Sequence, residues 1–569
     1  MRRAIILGLV LSGCLATAAG QLALDADIVA ERKWAAGTSR YADELERLVD
    51  TNRLPSSRTL IDAVGKHATC NMLDVARGRG WFRDDAVLRA LLADRSLAFG
   101  LAMALKPKDN AAAALNVLGA ILHALKGREL ASPDLAIAMA VVWDARPDSA
   151  ARAAQLFLHY VRNAARLKGD LTRLPWPLAT LVVDVNVGKG ERAWAMERYA
   201  GKSSYLALYD GVPYEPHRRA WERGTPYTLD RILLHGGASI DRAYFAASVA
   251  KVCGRPCLLL VGTTRVGVPQ AWVLELNWRG GRYEWWAQGA SREPLGAYVD
   301  PQTGAKRSLS EARLLSRGMS LSAERRAAAD AYNYAAQVFH GKISVPRVLA
   351  LLKQAVKSNP YDTRPWLMLS EMMARREAAY EKAGALYRYL LHSYRRYPHF
   401  TRDILHALLP LIPDDAVARR KRLFEATFEV YRETPEVAVE LMMELAGYLQ
   451  RQRYTRAAMA TYHAAVRRYR EQGHLVEKAL ASAEDIYRRH EMLPEAIEMY
   501  EYVYRAYRDE QTDAIAHGRD AYVYRFAERL ARLCREAGDK VKAAQYDTIC
   551  DQIDREIESR KRREPRRPK

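Results

Sequence analysis

Cysteine is scarce in this chain, with six residues among 569. One lies close to the N-terminus, and the other five are widely spaced: Cys70, Cys253, Cys257, Cys534 and Cys550. So sparse and odd a set is not a disulfide framework. The pair at 253 and 257 has no matching second pair, which argues against a zinc site. We therefore expect these cysteines to be core residues, and we expect neither a metal nor another cofactor.

Long apolar runs are missing as well. After the N-terminus no segment reaches about 18 unbroken apolar residues, so none is predicted to span a membrane. The N-terminus reads "MRR", then a short apolar "AIILGLVL", then "LSGC", which matches the bacterial lipobox. Residues 1–20 are therefore predicted to be a lipoprotein-type signal peptide, with lipid attached to Cys14. Ordinary secretory cleavage after Ala18 is the alternative, and it would give a soluble periplasmic or secreted protein.

Acidic residues are too few to balance the basic ones. There are 67 Asp and Glu against 88 Lys and Arg, which gives a net charge of +21 and a pI near 9.6. This charge indicates an anionic neighbour such as a membrane surface, an acidic polymer or nucleic acid, or else simply solvated arginine-rich helix faces. Predicted export and the lack of a recognised nucleic-acid-binding motif argue against nucleic acid.

Three blocks of different character follow one another. Residues 25–170 repeat apolar residues at spacings of three and four between Gly, Pro and Asn breaks, which predicts a helical region. In residues 171–315, Trp, Tyr, Gly and β-branched residues cluster, and "QAWVLELNW" and "RYEWW" flank a Gly-Gly pair, which predicts a β-hairpin in an α+β domain. Residues 320–556 return to helical patterns. The predicted fold class is mainly α with one α+β domain.

The helical pattern of residues 320–556 has a period of about 34 residues. Small residues recur at two positions of each unit, where they let paired helices approach closely: Ala446, Ala458, Ala483 and Ala496. The pattern resembles tetratricopeptide repeats, which stack into an α-solenoid. Residues 557–569 follow, and the ten residues "RKRREPRRPK" within them predict a basic disordered tail that would dock on anionic lipid or polymer.

The central block carries a second resemblance. The stretch "HGGASIDRAYFAASVAKVCGRPCLLLVG", with "QAWVLELNW" and "YVDPQTG" after it, is similar to the transglutaminase-like domain of the papain-like superfamily. It most resembles the version found in large exported bacterial proteins with helical repeats. The resemblance covers about residues 110–320. It implies an α+β core in which a nucleophilic Cys opens a helix, a His lies on a strand, and an Asp orients the His.

Carried over residue by residue, the resemblance puts Ser239 at the Cys position, Gln270 at the His position and Glu284 at the Asp position. An amide side chain cannot accept a proton at physiological pH. The loss of triad members costs several orders of magnitude in turnover. We therefore expect a pseudoenzyme with no catalytic residue. The alternative is an active amide hydrolase or crosslinking enzyme with an unorthodox Ser239-based site, for which His235 is a candidate base.

A non-catalytic cleft could still bind a ligand. Ser239 and Gln270 offer uncharged polar groups and Trp272 and Trp285 offer aromatic area, which suits a peptide or glycan, unless these side chains simply form core. The repeat resemblance places four arginines in a groove that would prefer acidic peptides or anionic polymers: Arg375, Arg451, Arg488 and Arg489. The sequence thus predicts an exported, lipid-anchored envelope protein that acts as a non-catalytic binding scaffold.

Overall fold

The computed structural model describes residues 21–51, 53–78, 85–145, 149–167, 169–215, 226–263, 269–287, 296–374, 380–508, 519 and 521–563. The predicted signal peptide with Cys14 lies outside these residues. The chain is mostly helical (71%) with one small five-stranded antiparallel sheet, in agreement with a mainly α fold that has one α+β region. It divides into two compact units, residues 1–260 with 272–372 and residues 261–271 with 373–569.

In its described part, the first unit begins with a series of helices that bury apolar side chains against one another. They are α1 (Ala26–Glu31), α2 (Trp34–Val49), α3 (Ser57–Gly78), α4 (Asp85–Ala93), α5 (Arg95–Ala104), α6 (Ala111–Leu125), α7 (Pro133–Trp143) and α8 (Ser149–Asn163). Asp94 and Asn110 cap α5 and α6 by accepting hydrogen bonds from backbone N–H groups of the first turn. In α7 every residue from Leu135 to Trp143 is buried, so this helix forms the centre of the helical region.

Further helices lead to the sheet: α9 (Trp176–Val183), α10 (Lys189–Tyr199), α11 (Leu208–Gly211), α12 (Leu229–His235) and α13 (Ser239–Val252). Helix α13 packs against the four helices before it and buries Phe245 and Val249 completely. Helix α13 ends at Val252, and two residues later Gly254 has a left-handed φ of 79°. The N–H of Arg255 then donates a 2.9 Å hydrogen bond to the carbonyl of Ala250, and the chain enters the sheet.

The sheet has the strand order β3-β2-β1-β4-β5. Its strands are β1 (Cys257–Thr263), β2 (Pro269–Arg279), β3 (Arg282–Ala287), β4 (Ala297–Val299) and β5 (Lys306–Ser308). Strands β2 and β3 form the predicted hairpin, in which Arg279 faces Arg282. The two residues between them, Gly280 and Gly281, both have positive φ, as a tight hairpin turn of the I′ type requires.

The first unit extends beyond the sheet to residue 372. The helices involved are α14 (Leu309–Met319), α15 (Ala323–Val338), α16 (Val345–Ser358) and α17 (Thr363–Ala374). Helix α15 packs against α3, and the Tyr334 hydroxyl lies 2.9 Å from Nδ1 of the buried His67. The sequence period predicts that the repeats begin at residue 320. The packing of α15 against α3 therefore joins the first predicted repeat to the N-terminal helices.

The described part of the second unit consists mainly of paired helices. They are α18 (Tyr380–Ser393), α19 (Pro398–Leu408), α20 (Val417–Tyr431), α21 (Pro435–Arg451), α22 (Thr455–Tyr469), α23 (Gly473–Arg489), α24 (Leu493–Tyr507), α25 (Tyr522–Glu536) and α26 (Lys540–Arg563). The small residues predicted at close contacts are at most 1% exposed: Ala446, Ala458, Ala483 and Ala496. Large side chains cannot be accommodated at such positions without separating the helices.

Three hairpins end their first helix in the same way. Arg453, Glu491 and Gly538 have left-handed φ values of 64°, 56° and 81°. In each case the next residue donates a hydrogen bond to the carbonyl five positions earlier: Tyr454 to Leu449, Met492 to Tyr487, and Asp539 to Cys534. This is the Schellman arrangement. The same local geometry therefore ends the first helix of each of these three hairpins.

The last helix corrects one prediction. Helix α26 runs to Arg563, so residues 557–563 are helical, although the sequence predicts that they begin a disordered tail. Glu, Arg and Lys are good helix formers, and the first helix breaker after Lys540 is Pro565. Basic composition was therefore a poor guide to disorder in this segment. Residues 564–569 lie outside the described residues.

Candidate functional site

Ser239, the predicted nucleophile position, is the first residue of α13 and follows a double glycine. Gly236 has a φ of 72°, and a Cβ there would lie 2.6 Å from the carbonyl oxygen of Pro213. A Cβ on Gly237 would lie 2.5 Å from the side chain of Asp241. Neither position has room for a Cβ, so both residues need to be glycine. The close packing of this glycine pair fixes the position of the N-terminus of α13.

Asp241 closes the N-terminus of α13. Its side chain is buried, with 2% of the residue exposed. Oδ2 accepts a 2.9 Å hydrogen bond from the backbone N–H of Ala238, and Oδ1 accepts a 2.7 Å hydrogen bond from the Tyr227 hydroxyl. An acidic residue at the third helical position that holds the residue before the helix is the carboxylate half of a capping box.

This cap changes the electrostatics at Ser239. In cysteine hydrolases the positive end of a helix dipole stabilises the thiolate. Here the carboxylate of Asp241 lies at that end, two residues from Ser239, and it opposes the formation of a second negative charge there. Ser239 is itself only 8% exposed. The helix start is therefore suited to a neutral side chain at position 239.

Gln270 lies near the start of β2 and is half-buried. Its Nε2 is 3.5 Å from the carbonyl oxygen of the next residue, Ala271. Ser239 belongs to the first compact unit and Gln270 to the second. The pairing of these two residues stays a prediction.

The hairpin register separates Glu284 from Gln270. Glu284 faces Asn277, which is seven residues from Gln270 along β2, or roughly 23 Å at about 3.3 Å per residue. Successive side chains of a strand project from opposite faces, so Asn277 and Glu284 share one face and Gln270 projects from the other. The Glu284 carboxylate lies 3.6 Å from Nε of Arg282. The assignment of Glu284 to the third triad position stays a prediction.

Trp285 is also corrected by the structure. It is buried, and its indole N–H donates a 3.1 Å hydrogen bond to the carbonyl of Ala312 in α14, so it is a core residue and not a ligand-binding one. Trp278 and Trp286 are exposed, at 58% and 45%. Trp286 follows Trp285 in the strand and points to the opposite face, whereas α14 packs against the face that carries Trp285. Trp272 is half-buried on β2 and stays a candidate.

Glu275 on β2 is a fully buried carboxylate that was not predicted as a site residue. Its Oε2 accepts hydrogen bonds from the Ser204 hydroxyl at 3.0 Å and from the Tyr205 backbone N–H at 2.9 Å. Its Oε1 lies 3.6 Å from Nε of Arg255. A buried charge with these partners is a structural ion pair. The sequence feature that could have indicated this buried ion pair is a single acidic residue inside the apolar run "WVLELNW".

No protein-family model matches this chain, and no curated protein matches it. The two resemblances drawn from the sequence therefore stay predictions, and the geometry of the site carries the functional argument. A search of the described helices finds none that is both long and apolar enough to cross a membrane. Among the same residues no cluster of three or more His, Cys, Asp or Glu is arranged to hold a metal ion.

The five described cysteines do not provide another nucleophile. All are buried and none is in a disulfide. Burial raises the pKa of Cys70 to about 12 and those of Cys253 and Cys550 to about 11. Because only a thiolate is strongly nucleophilic, these thiols are unreactive at neutral pH. Cys253 also follows the last residue of α13, at the opposite end of the helix from Ser239.

The four predicted groove arginines differ in whether the structure describes them and in whether they form ion pairs. Arg375 lies outside the described residues. Arg488 donates a 2.8 Å hydrogen bond to Glu484 and also bonds Glu536, so the fold itself neutralises its charge. Arg451 and Arg489 are exposed, and neither forms an ion pair with a described residue. Of the three predicted groove arginines that the structure describes, Arg451 and Arg489 keep the unneutralised charge that the prediction needs.

Proposed function

We propose that this chain is an exported, lipid-anchored envelope protein that acts as a non-catalytic binding scaffold. Its central block would be a transglutaminase-like domain that has lost its chemistry. Its C-terminal helices would be tetratricopeptide-like repeats that bind partners. The observation that carries the proposal is the capped helix start at Ser239.

The electrostatics of that helix start support an inactive site. A serine hydroxyl needs a base to become a nucleophile, and it needs stabilisation of the charge that develops during attack. Asp241 takes up the positive end of α13 with its own buried carboxylate. Gln270, at the position of the family's His, has no group that accepts a proton at physiological pH.

The scaffold role is supported by the second unit. Hairpins with a shared Schellman turn recur along it, and small buried residues bring their paired helices together. Stacked repeats of this kind create extended surfaces that suit partner binding. The two exposed and unpaired arginines of the predicted groove favour an anionic partner.

The test is a turnover measurement on residues 21–569. The protein is incubated with casein and a fluorescent primary amine, to detect crosslinking, and with a fluorogenic peptide amide, to detect hydrolysis. We expect no product above the buffer rate, and the same null rate for Ser239→Ala. Product that disappears in Ser239→Ala, while Asp230→Ala retains it, would instead establish an active Ser239-based enzyme.

A further inference from the structure

One stretch of the second unit has no acidic residue at all. Between Glu444 and Glu471, residues 445–470 contain six arginines and neither Asp nor Glu. We call these six residues the arginine strip: Arg451, Arg453, Arg456, Arg467, Arg468 and Arg470. Longer acid-free stretches occur elsewhere, but they are less basic: residues 242–274 and residues 331–361 carry four basic residues each. The strip is therefore a local excess of charge and not an average property of the chain.

Helix α22 arranges the strip in two clusters. Arg456 and Arg467 are eleven residues apart, which is close to three helical turns, so they lie on one face about 16 Å apart. Arg451 and Arg453 precede Arg456 in the chain, and the remaining two residues of the strip follow Arg467. All six are exposed, and the exposed residues between the clusters on this face are the small Ala460 and Ala464. The outer face of α22 is thus a smooth ridge with arginines at both ends.

None of the six arginines forms an ion pair with a described residue. Other arginines of the unit do: Arg402, Arg420, Arg432, Arg488, Arg525 and Arg529. Two strip residues contact aromatic rings instead, since Arg468 lies 5.4 Å from the centre of Phe428 and Arg470 lies 5.6 Å from that of Tyr502. A ring contact orients a guanidinium without neutralising it. The strip therefore keeps its positive charge for an outside partner.

We propose that the arginine strip docks the second unit on a membrane surface that carries anionic phospholipid headgroups. This deepens the proposed function and rests on it for export and lipid anchoring, which would hold the chain beside such a surface. Arginine suits phosphate because its planar guanidinium forms two parallel hydrogen bonds with the phosphate oxygens. Each cation near an anionic bilayer contributes about 1 kcal/mol.

The shape of the strip favours a surface over a peptide chain. A bound peptide or polymer needs a groove that encloses it, whereas the outer face of a helix is convex and the alanines between the clusters leave it smooth. Tyr454, next to Arg453, is 54% exposed. Tyrosine is a residue enriched at the headgroup level of membranes.

The test is co-sedimentation of residues 21–569, which lack any lipid, with vesicles. One set contains 30% phosphatidylglycerol in phosphatidylcholine, and the other contains phosphatidylcholine alone. We expect binding to the anionic vesicles only, and we expect it to weaken steeply between 50 and 300 mM salt. Arg456→Glu with Arg467→Glu should lower the partition coefficient at least about thirtyfold, since it removes two cations of about 1 kcal/mol each and adds repulsion.

The matched control is Arg89→Glu with Arg128→Glu. Both residues are exposed in the first unit, form no ion pair with a described residue, and give the same change in net charge. We expect this double variant to change the partition coefficient less than about threefold. The circular dichroism spectra of both double variants should be unchanged. Equal losses of vesicle binding in the two double variants would show that net charge, and not the arginine strip, determines binding. Binding to soluble polyglutamate or dextran sulfate without vesicle binding would overturn the membrane as the partner.

The assay is independent of the turnover test. It uses unlipidated protein and does not involve Ser239. Turnover in the activity assay would therefore contradict the inactive site without bearing on vesicle binding. A lack of vesicle binding would contradict the membrane proposal without bearing on the inactive site.

Discussion

The hydroxyl of Tyr227 donates a 2.7 Å hydrogen bond to the carboxylate of Asp241. The two residues belong to different segments, since Tyr227 precedes α12 and Asp241 lies in the first turn of α13. The other carboxylate oxygen holds the N–H of Ala238. This contact joins the helix start to the segment before it, and it determines how residue 239 is presented.

Asp241→Ala should lower the free energy of unfolding by about 1–3 kcal/mol, because it removes a helix cap and leaves the Tyr227 hydroxyl without its partner. Urea unfolding followed by circular dichroism measures the change. Asp230→Ala is the control, since Asp230 is exposed in the first turn of α12, and it should cost less than about 0.5 kcal/mol. Equal effects for the two variants would argue against a special role for Asp241.

Ser239→Cys should yield a thiol that is alkylated slowly at pH 7. The site is nearly closed, and the Asp241 carboxylate opposes a thiolate. Adding Asp241→Asn removes the charge while keeping a hydrogen-bonding side chain, and we expect it to raise the iodoacetamide rate at least about fivefold. The native cysteines are buried and give the background in the parent chain. A fast single variant, or no acceleration in the double variant, would contradict this account of the helix start.

Glu484 should support the stability of the second unit above its ordinary pKa of 4.5. Burial alone would raise the pKa of this carboxyl, but hydrogen bonds from Arg488 and Arg529 outweigh burial and lower it. A lowered pKa in the folded state stabilises the fold above the unfolded value, and this contribution is lost as pH falls below it. Glu484→Gln should therefore reduce stability at pH 7 by about 3 kcal/mol or more and flatten the loss between pH 5 and pH 3.

The control for Glu484 is Glu495→Gln, which changes an exposed carboxylate in the first turn of α24. It should leave both the stability and its pH dependence nearly unchanged. Thermal unfolding at pH 7, 5, 4 and 3 provides the comparison. If Glu484→Gln unfolds with the same pH profile as the parent chain, the buried network is not the source of the acid sensitivity.

Glu491→Gly should stabilise the second unit by about 0.5–1 kcal/mol. Glu491 has a φ of 56°, a conformation that costs a non-glycine residue about 1 kcal/mol and glycine little. At the matching turn Gly538 has a φ of 81° and open space around its missing Cβ, so Gly538→Ala should lose a similar amount through backbone strain alone. Urea midpoints of both variants measure the changes. Opposite signs to these would contradict the shared Schellman turn.

Local patterns predicted much of the architecture. The Gly280–Gly281 turn between alternating strands produced the hairpin, and the 34-residue period placed small residues at positions that are fully buried. The α+β region and the surrounding helices also follow from periodicity. These features depend on residues close in sequence, and this is why they can be read without the fold.

The surroundings of the predicted site residues were harder to predict from the sequence than the architecture. Glu284 was carried over from a family pattern, and only the structure shows that it faces Asn277 across the hairpin. Trp285 looked like an available ring, yet α14 covers it. Arg488 looked like a free groove cation, yet Glu484 and Glu536 bind it. In each case at least one deciding neighbour lies on another element: Asn277 on β2, Ala312 in α14 and Glu536 in α25.

The helix and strand periods, the tight hairpin turn, the double glycine before α13 and the basic, acid-free stretch at 445–470 follow from local sequence. These are consequences of backbone freedom, spacing and composition. The folded structure was needed to show that the Asp241 carboxylate is buried at the start of α13, that Glu275 is paired inside the first unit, and which arginines form no ion pair with a described residue. Burial and pairing depend on which distant elements pack together, because a charge inside a protein is retained only where the fold supplies a partner.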